Sequence, residues 1–316
     1  MKIDRAVIEI NGGCNYSCQM CPQTTGRGKD WLKKMPLKEF ENYVSQCADA
    51  GLRVVNLEGS GEPTLNNNLH EYIKIVKKYN AKAFCFSNGF KMSGDFMKKC
   101  VDSGLDFYRF SIIGYNHIKY KKWMNSDNFQ IVLNNVKEMQ KYVKEKNYDC
   151  IVATYHLILD NKFIDQELKM YKNIVKWADV KTEIWKMHNW SGVYNVEYQR
   201  KGKIKTCGRP FSPDVVIRAG GMSGNTGAVA PCCQVLGRDS EAILGYMSQE
   251  SLENIWYGEK YESLRESHRT GNYPDYCKSC DFLIDDPEVL VYTNYERELY
   301  KMHGTEFNLN DYRYLN

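Results

Sequence analysis

A group of three closely spaced cysteines constrains this chain more than any other feature. Residues 13–23 carry Cys14, Cys18 and Cys21 in a C-x3-C-x2-C pattern, just after the apolar run at residues 6–10. Thiolates are soft ligands that suit zinc and iron–sulfur clusters. A structural zinc site takes four protein ligands, yet no Cys or His follows within the next twenty residues. The pattern therefore favours a [4Fe–4S] cluster with one iron lacking a protein ligand, and a zinc site completed from far along the chain is the alternative.

This spacing resembles the signature of radical S-adenosylmethionine (radical SAM) enzymes. In that family, SAM chelates the open iron, and an electron from the cluster cleaves SAM into a 5'-deoxyadenosyl radical that abstracts hydrogen from the substrate. The resemblance implies that Cys14, Cys18 and Cys21 hold this cluster and that Met20 contacts the adenine of SAM. It also implies a low-potential electron donor such as flavodoxin or ferredoxin.

Length and charge exclude several classes of function. The chain has 316 residues and a formal net charge of +4, which gives no electrostatic case for a nucleic-acid partner or an acidic membrane surface. The first residues are not a signal peptide, and no apolar run is long enough to cross a membrane. Twelve cysteines without a secretion signal indicate metal ligation in a reducing compartment, so we expect a cytoplasmic protein.

Short β-type runs alternate with helical periodicity in the first two-thirds of the chain, which is typical of parallel βα units. The resemblance implies an open, partial (βα)6 TIM-like barrel over residues 1–190. A linker at 191–205, a small Cys-rich domain at 206–284 and a tail at 285–316 are predicted to follow. Strands are predicted at 6–10, 53–57, 81–86, 107–112, 150–155 and 180–185, and helices at 37–50, 69–79, 94–103, 129–144 and 165–177.

A glycine-rich turn follows the second predicted strand, where residues 58–64 read Glu-Gly-Ser-Gly-Glu-Pro-Thr. The turn resembles the Gly-Gly-Glu-Pro motif of radical SAM enzymes, with Ser60 in place of the first motif glycine. In the family this segment binds the amino group of SAM, which the resemblance assigns here to Gly61 and Glu62. An ordinary glycine-rich turn is the alternative.

Two further strand ends carry polar residues that the resemblance places near SAM. Ser87, Asn88 and Gly89 match the family's Thr/Ser-Asn-Gly turn, although Asn-Gly turns are also common elsewhere. Ser111 ends the fourth predicted strand. Many relatives have an aspartate where Ile113 stands, so a ribose or substrate contact at this strand stays open. We therefore expect Ser87, Asn88 and Ser111 to be SAM contacts.

A second group of cysteines lies near the C-terminal end of the chain. It contains Cys207, the pair Cys232 and Cys233, and a C-x2-C at Cys277 and Cys280. Four thiolates are enough to close either a [4Fe–4S] site or a zinc site.

The context of these cysteines resembles the SPASM/twitch region of radical SAM enzymes. Residues 227–232 match its Gly-x-Val-x-Pro-Cys motif, and residues 251–256 match its Ser-Leu-x-x-Ile-Trp motif, which opens a single predicted helix at 252–266. Only four family-type ligand positions are present, which fits the shorter twitch form with one auxiliary cluster. The resemblance implies a second [4Fe–4S] cluster held by Cys207, Cys232, Cys277 and Cys280. A zinc ion at the same four cysteines is the alternative.

Cys233 is left over from this ligand set. It is either a spectator beside the site or a hydrogen-atom donor, similar to radical SAM epimerases that carry a Cys-Cys pair here. Four other cysteines have apolar neighbours on predicted helices or strands and are expected to be buried structural residues, namely Cys47, Cys85, Cys100 and Cys150.

The sequence thus predicts a radical SAM enzyme that abstracts hydrogen from a substrate for oxidation or epimerisation. No leader-binding domain of the kind found in peptide-modifying members precedes the first predicted strand, which favours a small substrate such as a sugar, aminosugar or cyclitol. Three rival functions are a peptide maturase or epimerase, a non-catalytic zinc-binding adaptor, and an electron-transfer protein. The motif at Glu62 is an argument against electron transfer alone.

Overall fold

A computed structural model describes most of the chain, at residues 1–22, 31–158, 164–176, 179–193, 203–204, 206–235, 242–283 and 290–294. Its strands in chain order are β1 (Arg5–Ile8), β2 (Val54–Leu57), β3 (Lys82–Ser87), β4 (Leu105–Ser111), β5 (Ile151–Ile158), β6 (Lys181–Lys186), β7 (Asp214–Ile217), β8 (Ala228–Ala230), β9 (Gly245–Tyr246) and β10 (Leu290–Thr293). Within the described residues these strands form one sheet in the order β10-β6-β5-β4-β3-β2-β1-β7-β8-β9.

Helices connect the parallel strands of this sheet. The described helices are α1 (Leu37–Asp49), α2 (Leu69–Lys78), α3 (Gly94–Asp102), α4 (His117–Met124), α5 (Phe129–Lys146), α6 (Ile164–Val175), α7 (Leu252–Tyr257), α8 (Glu259–Thr270) and α9 (Asp275–Lys278). Strands β1 to β6 pair in parallel with their sequence neighbours. The predicted fold class, a partial barrel of parallel βα units with a Cys-rich C-terminal region, is therefore confirmed.

The helices cover the sheet because their apolar residues recur at helical spacing. In α1 the buried residues are Phe40, Tyr43, Val44 and Cys47, which lie on one face at i, i+3, i+4 and i+7. Burying an aliphatic or aromatic side chain of this size stabilises the fold by roughly 1.5–3 kcal/mol. The prediction that Cys47, Cys85, Cys100 and Cys150 are buried is also confirmed.

The C-terminal region extends the barrel sheet at its β1 edge. Strand β7 pairs in parallel with β1, with Arg5 opposite Asp214, and β8 and β9 continue antiparallel. Strand β10 closes the other side by pairing antiparallel with β6. The sheet therefore runs across the predicted domain boundaries, which stay predictions, and it brings the second cysteine group beside the barrel interior.

The prediction of one helix at residues 252–266 is wrong. The helix expected at 252–266 is two helices, α7 and α8, which meet at Gly258. Gly258 has an extended backbone, with ψ of 160°, so it ends α7 and begins α8. No described helix is long and apolar enough to span a lipid bilayer.

Candidate functional site: two cysteine centres at neighbouring cavities

A cavity of about 310 Å³ lies at the carboxyl ends of the barrel strands. This is where parallel α/β folds place their chemistry. Its lining combines the first cysteine group, the predicted SAM contacts, charged side chains from the barrel and one member of the second cysteine group. Among the lining residues are Cys14, Cys18, Met20, Cys21, Asn56, Glu58, Gly61, Glu62, Ser87, Asn88, Arg109, Ser111, Tyr155, Trp190, Arg209, Cys233 and Gln234.

The loop that carries the first three cysteines is braced against the glycine-rich turn. The Gly13 carbonyl accepts from the Glu62 backbone N–H at 2.7 Å, and the Asn11 side chain donates to the carbonyls of both residues. A Cβ on Gly61 would stand 1.9 Å from the Asn11 carbonyl oxygen. Gly61 is therefore needed for backbone-to-backbone contact with the cysteine loop, a reason that the sequence motif alone did not reveal.

The thiols of this loop cluster in a half-buried position. Burial and the nearby Glu62 carboxylate raise the pKa of Cys14 to about 12. Burial, with Cys21 and Cys14 close by, raises the pKa of Cys18 well above its usual value. With raised pKa values these thiols are neutral on their own. Iron ions would stabilise the thiolate form that binds metal, so this donor set fits an iron–sulfur cluster.

The Glu62 carboxylate accepts four hydrogen bonds at the cavity wall. Its Oε1 accepts from Thr64 Oγ1 at 2.6 Å and from Ser87 Oγ at 2.6 Å, and its Oε2 accepts from the Asn88 backbone N–H at 2.8 Å. Burial nevertheless raises the pKa of Glu62 above its usual value. The carboxylate is thus held in one orientation, and a cationic group in the cavity would find it already positioned.

The predicted SAM contacts Ser87 and Asn88 are engaged in this same network. Ser87 Oγ donates to Glu62 and accepts from the Gly89 N–H, while Asn88 Nδ2 donates to Asn15 Oδ1 at 2.8 Å. Their side chains connect β3 to Glu62 and to the cysteine loop. The sequence did not single out Thr64 or Asn15 for this network, although Thr64 stands inside the glycine-rich motif.

Other predicted and unpredicted residues complete the cavity. Met20 is 6% exposed, and its carbonyl accepts from Trp190 Nε1 at 2.8 Å. Ser111 lines the cavity from the end of β4, as expected for a strand-end residue. Arg109 was not predicted. Its guanidinium lies 3.7 Å from the centre of the Phe86 ring and 4.2 Å from that of Tyr155, so the charge is fixed inside the barrel.

The second centre gathers four thiols around a small neighbouring cavity, and they are Cys207, Cys232, Cys277 and Cys280. Burial, with the other members of this set close by, raises the pKa of Cys277 and of Cys280. Burial also raises the pKa of Cys207, to about 11, against the opposing effect of Arg209. Four such thiols fit an iron–sulfur cluster, whose iron ions would stabilise the thiolate form. Among the described residues, no three His, Cys, Asp or Glu side chains are arranged to hold a single metal ion.

Cys233 lies apart from this set. It lines the main cavity, whereas its neighbour Cys232 lines the small one, so the two adjacent thiols lie on opposite sides of one wall. Arg209 Nη1 donates to Cys233 Sγ at 2.7 Å. The structure thus brings all seven predicted ligands and Cys233 into two neighbouring groups, with Cys14, Cys18, Cys21 and Cys233 at the main cavity and the other four thiols at the small one.

Comparison with protein families agrees with this arrangement. The model of the radical SAM superfamily matches residues 8–163, and that of SPASM, an iron–sulfur cluster-binding domain, matches residues 224–281. The chain therefore carries a radical SAM domain and, in its C-terminal region, a SPASM domain. The first match contains Cys14, Cys18, Cys21 and Glu62, and the second contains Cys232, Cys277 and Cys280 but not Cys207.

Two curated relatives differ in how much of this chain they match and at what sequence identity. The probable GTP 3',8-cyclase of Thermococcus kodakarensis is 30% identical over 138 residues, a match that spans only 43% of each chain. The chain thus matches less than half the length of that relative. The S-adenosyl-L-methionine-dependent 2-deoxy-scyllo-inosamine dehydrogenase of Niallia circulans is 21% identical over 283 residues, which cover 87% of this chain and 91% of the relative.

A solved structure supports the fold over most of the chain. The structure of BtrN in complex with AdoMet and 2-DOIA superposes with a TM-score of 0.60 and 17% identity, covering 89% of this chain and 94% of that one. At this identity the likeness concerns the fold. The two chains therefore share a fold over most of their length.

Proposed function

We propose that this protein is a radical SAM oxidoreductase that oxidises a hydroxyl-bearing carbon of a small substrate, namely a sugar, an aminosugar or a cyclitol. The observation that carries the proposal is that the cavity lined by the first cysteine centre shares a wall, at Arg209, Gln234 and Phe282, with the small cavity lined by the second centre. When bound, SAM with a first cluster at Cys14, Cys18 and Cys21 supplies a hydrogen-abstracting radical. A second cluster at Cys207, Cys232, Cys277 and Cys280 supplies a one-electron acceptor.

The chain's own residues fit the binding of a polar substrate between these groups. Glu62 would orient the SAM ammonium through its fixed carboxylate. Asn56, Glu58 and Arg109 project into the cavity from β2, the turn after it and β4, where they offer donors and acceptors to hydroxyl groups. The similarity to the inosamine dehydrogenase, which extends over 87% of this chain, supports this substrate class.

Epimerisation is the second candidate, and the observation that favours it is the position of Cys233. A thiol that lines the same cavity as the first cysteine group could return a hydrogen atom to a substrate radical. The contact with Arg209 holds the sulfur in place. Modification of a peptide and zinc binding without catalysis are rival functions, and each gives a different result in the two experiments that follow.

The class of function is tested by iron content and SAM cleavage. The anaerobically purified protein should contain about eight irons per chain and, with dithionite, should cleave SAM to 5'-deoxyadenosine. Changing Cys14, Cys18 and Cys21 to Ala should abolish cleavage and leave about four irons. Cys150→Ala is the matched control and should retain both. A zinc-loaded, colourless protein without cleavage activity would instead identify the adaptor.

The type of reaction is tested with 2-deoxy-scyllo-inosamine and a panel of neutral sugars and cyclitols in deuterated water. Oxidation gives a product two mass units lighter, and Cys233→Ala should form it nearly normally. Epimerisation gives a product of unchanged connectivity that carries one solvent deuterium, and Cys233→Ala should lose it while still making 5'-deoxyadenosine. Stimulation of SAM cleavage by peptides but by none of these small molecules would favour peptide modification.

A further inference from the structure

A row of three polar side chains lines the main cavity at the end of β2 and in the turn after it, and they are Asn56, Glu58 and Ser60. Asn56 is 2% exposed and Ser60 is 6% exposed. Within the described part of the chain, Asn56 Oδ1 and Ser60 Oγ have no hydrogen-bond partner. Buried polar atoms of folded proteins nearly always have one. Because Oδ1 can only accept, these atoms indicate a ligand that brings hydrogen-bond donors to this part of the cavity.

The contact between Asn56 and Glu58 orients both side chains. Asn56 Nδ2 donates to Glu58 Oε1 at 3.0 Å, which leaves Oδ1 of the amide as an acceptor for another group. Among the described residues, no other group donates to the Glu58 carboxylate and no cation pairs with it. With Ser60, the row offers a carboxylate, an amide oxygen and a hydroxyl oxygen. These three acceptors match the three N–H donors and the positive charge of an ammonium group.

Two arginines that line the same cavity have carboxylate partners other than Glu58. Arg109 contacts Glu183 at 3.2 Å, and Arg218 contacts Glu9 at 3.8 Å. Glu58 is therefore not the counter-ion of either arginine, and its negative charge is available to a cationic group of a ligand.

Glu58 acts on the same part of the cavity as Cys233. Burial raises the pKa of Tyr155, which lines the cavity from β5, and Arg109 opposes this effect. Glu183, Glu58 and Cys233 add to the rise, so Glu58 and Cys233 both lie close to Tyr155. A ligand group bound by Glu58 would therefore lie in the region that Tyr155 and Cys233 border.

We propose that Glu58 and Asn56 bind an ammonium group of the substrate, so that the enzyme selects an aminosugar or an aminocyclitol over a neutral sugar. The proposal rests on the proposed function, which places a small hydroxylated substrate in this cavity. In that function Glu62 serves the ammonium of SAM, and its carboxylate already accepts four hydrogen bonds from the protein. Glu58 accepts only one among the described residues, so it keeps acceptor positions for a second ammonium.

The test compares matched pairs of ligands, each an amine and the compound in which a hydroxyl replaces the amino group. The pairs are scyllo-inosamine with scyllo-inositol and D-glucosamine with D-glucose. Isothermal titration of the iron-loaded protein with SAM bound, and without reductant, measures the affinities. The wild type should bind the amine of at least one pair about 10–100-fold more tightly than its hydroxyl counterpart, the range for a hydrogen bond to a charged group. Equal affinities within both pairs, or no binding of either amine, would overturn the inference.

Glu58→Gln removes the charge and keeps an acceptor for Asn56. This variant should lose most of the preference for the amine while its iron content and SAM affinity stay at the wild-type values. Glu145→Gln is the control, because it removes a carboxylate from a side chain that is 60% exposed, and it should keep the preference. An unchanged preference in Glu58→Gln would overturn the inference. Loss of iron would do the same by indicating a scaffold role, and weaker SAM binding would do so by assigning Glu58 to SAM.

Turnover separates failure of this inference from failure of the proposed function. Oxidation of the neutral members of the pairs, but not of the amines, would overturn the inference and leave the proposed function intact. If none of these small molecules, with or without an amino group, stimulates SAM cleavage, the proposed function itself is overturned, and the inference with it.

Discussion

The two cysteine centres hold similar thiols in opposite electrostatic surroundings. At the first centre, burial chiefly raises the pKa of Cys14 and Cys18, and the negative charge of Glu62 raises it further. At the second, Arg209 adds positive charge and opposes the rise in the pKa of Cys207 and Cys232. The difference indicates that the first centre is prepared for a cationic ligand, as the ammonium and sulfonium of SAM are.

The two centres are also assembled differently. The first takes its three thiols from one loop, which backbone contacts with the glycine-rich turn hold in place. The second draws its four thiols from three separated segments that the extended sheet and the short helix α9 bring together. A change in the turn should therefore damage the first centre selectively, which gives the experiment with the largest expected effect.

Gly61→Ala should disrupt the first centre and spare the second. The new Cβ would meet the Asn11 carbonyl oxygen at 1.9 Å, and the backbone must move to relieve this contact. We expect a loss of about 1–3 kcal/mol in the free energy of unfolding, loss of about half of the iron, and little remaining SAM cleavage. Iron analysis, the cleavage assay and chemical denaturation measure these three effects.

Gly13→Ala is the matched control for that variant. A Cβ on Gly13 has its nearest neighbour at 4.0 Å, and the residue keeps the carbonyl that accepts from Glu62. This variant should behave like the wild type. If both variants lose iron equally, the loop is simply sensitive to any side chain, and the selective bracing by Gly61 is not the cause.

This contrast also marks how far the sequence could predict the site. Local patterns predicted both cysteine groups, Gly61 and Glu62, because each motif occupies a short stretch at a strand end. Arg209, Asn15 and the bond from Trp190 to Met20 could not be predicted, since each joins segments far apart in the chain. Gly258 was missed for a different reason, because helical periodicity continues on both sides of it while its backbone is extended.

Glu62→Gln should weaken SAM binding by roughly 10–100-fold, the range for losing a charged hydrogen-bond partner. Glu58→Gln is the control, since Glu58 also lines the cavity but accepts from Asn56 Nδ2 instead of belonging to the Glu62 network. Isothermal titration with SAM measures both. Equal affinities for the wild type and Glu62→Gln would reduce Glu62 to a turn residue.

The raised pKa of Glu62 adds a pH dependence to this comparison. Because the folded protein binds the Glu62 proton more tightly than the unfolded chain does, this residue's contribution to stability falls as the pH rises between the usual value and the raised one. SAM binding should show the opposite pH dependence, because the ammonium group of SAM binds the ionised form of Glu62. SAM binding should therefore weaken as the pH falls through the raised pKa of Glu62. Glu62→Gln should abolish that part of the pH profile.

The smallest effect is expected where one segment joins the two centres. Trp190 Nε1 donates to the Met20 carbonyl in the first cysteine loop, while Asn189 Nδ2 donates to the Ser279 carbonyl between Cys277 and Cys280. Trp190→Phe keeps an aromatic ring against His188 but removes the bond to Met20, which is worth about 1 kcal/mol. SAM affinity should therefore fall about fivefold, with the iron content unchanged. Asn189→Ala should leave SAM affinity near the wild-type value, because its side-chain bonds are to Ser279, Asp281 and Gly192 and none of them reaches the first cysteine loop. If Asn189→Ala weakens SAM binding as much as Trp190→Phe does, the segment couples the centres rigidly, and the two sites cannot be treated as separately assembled.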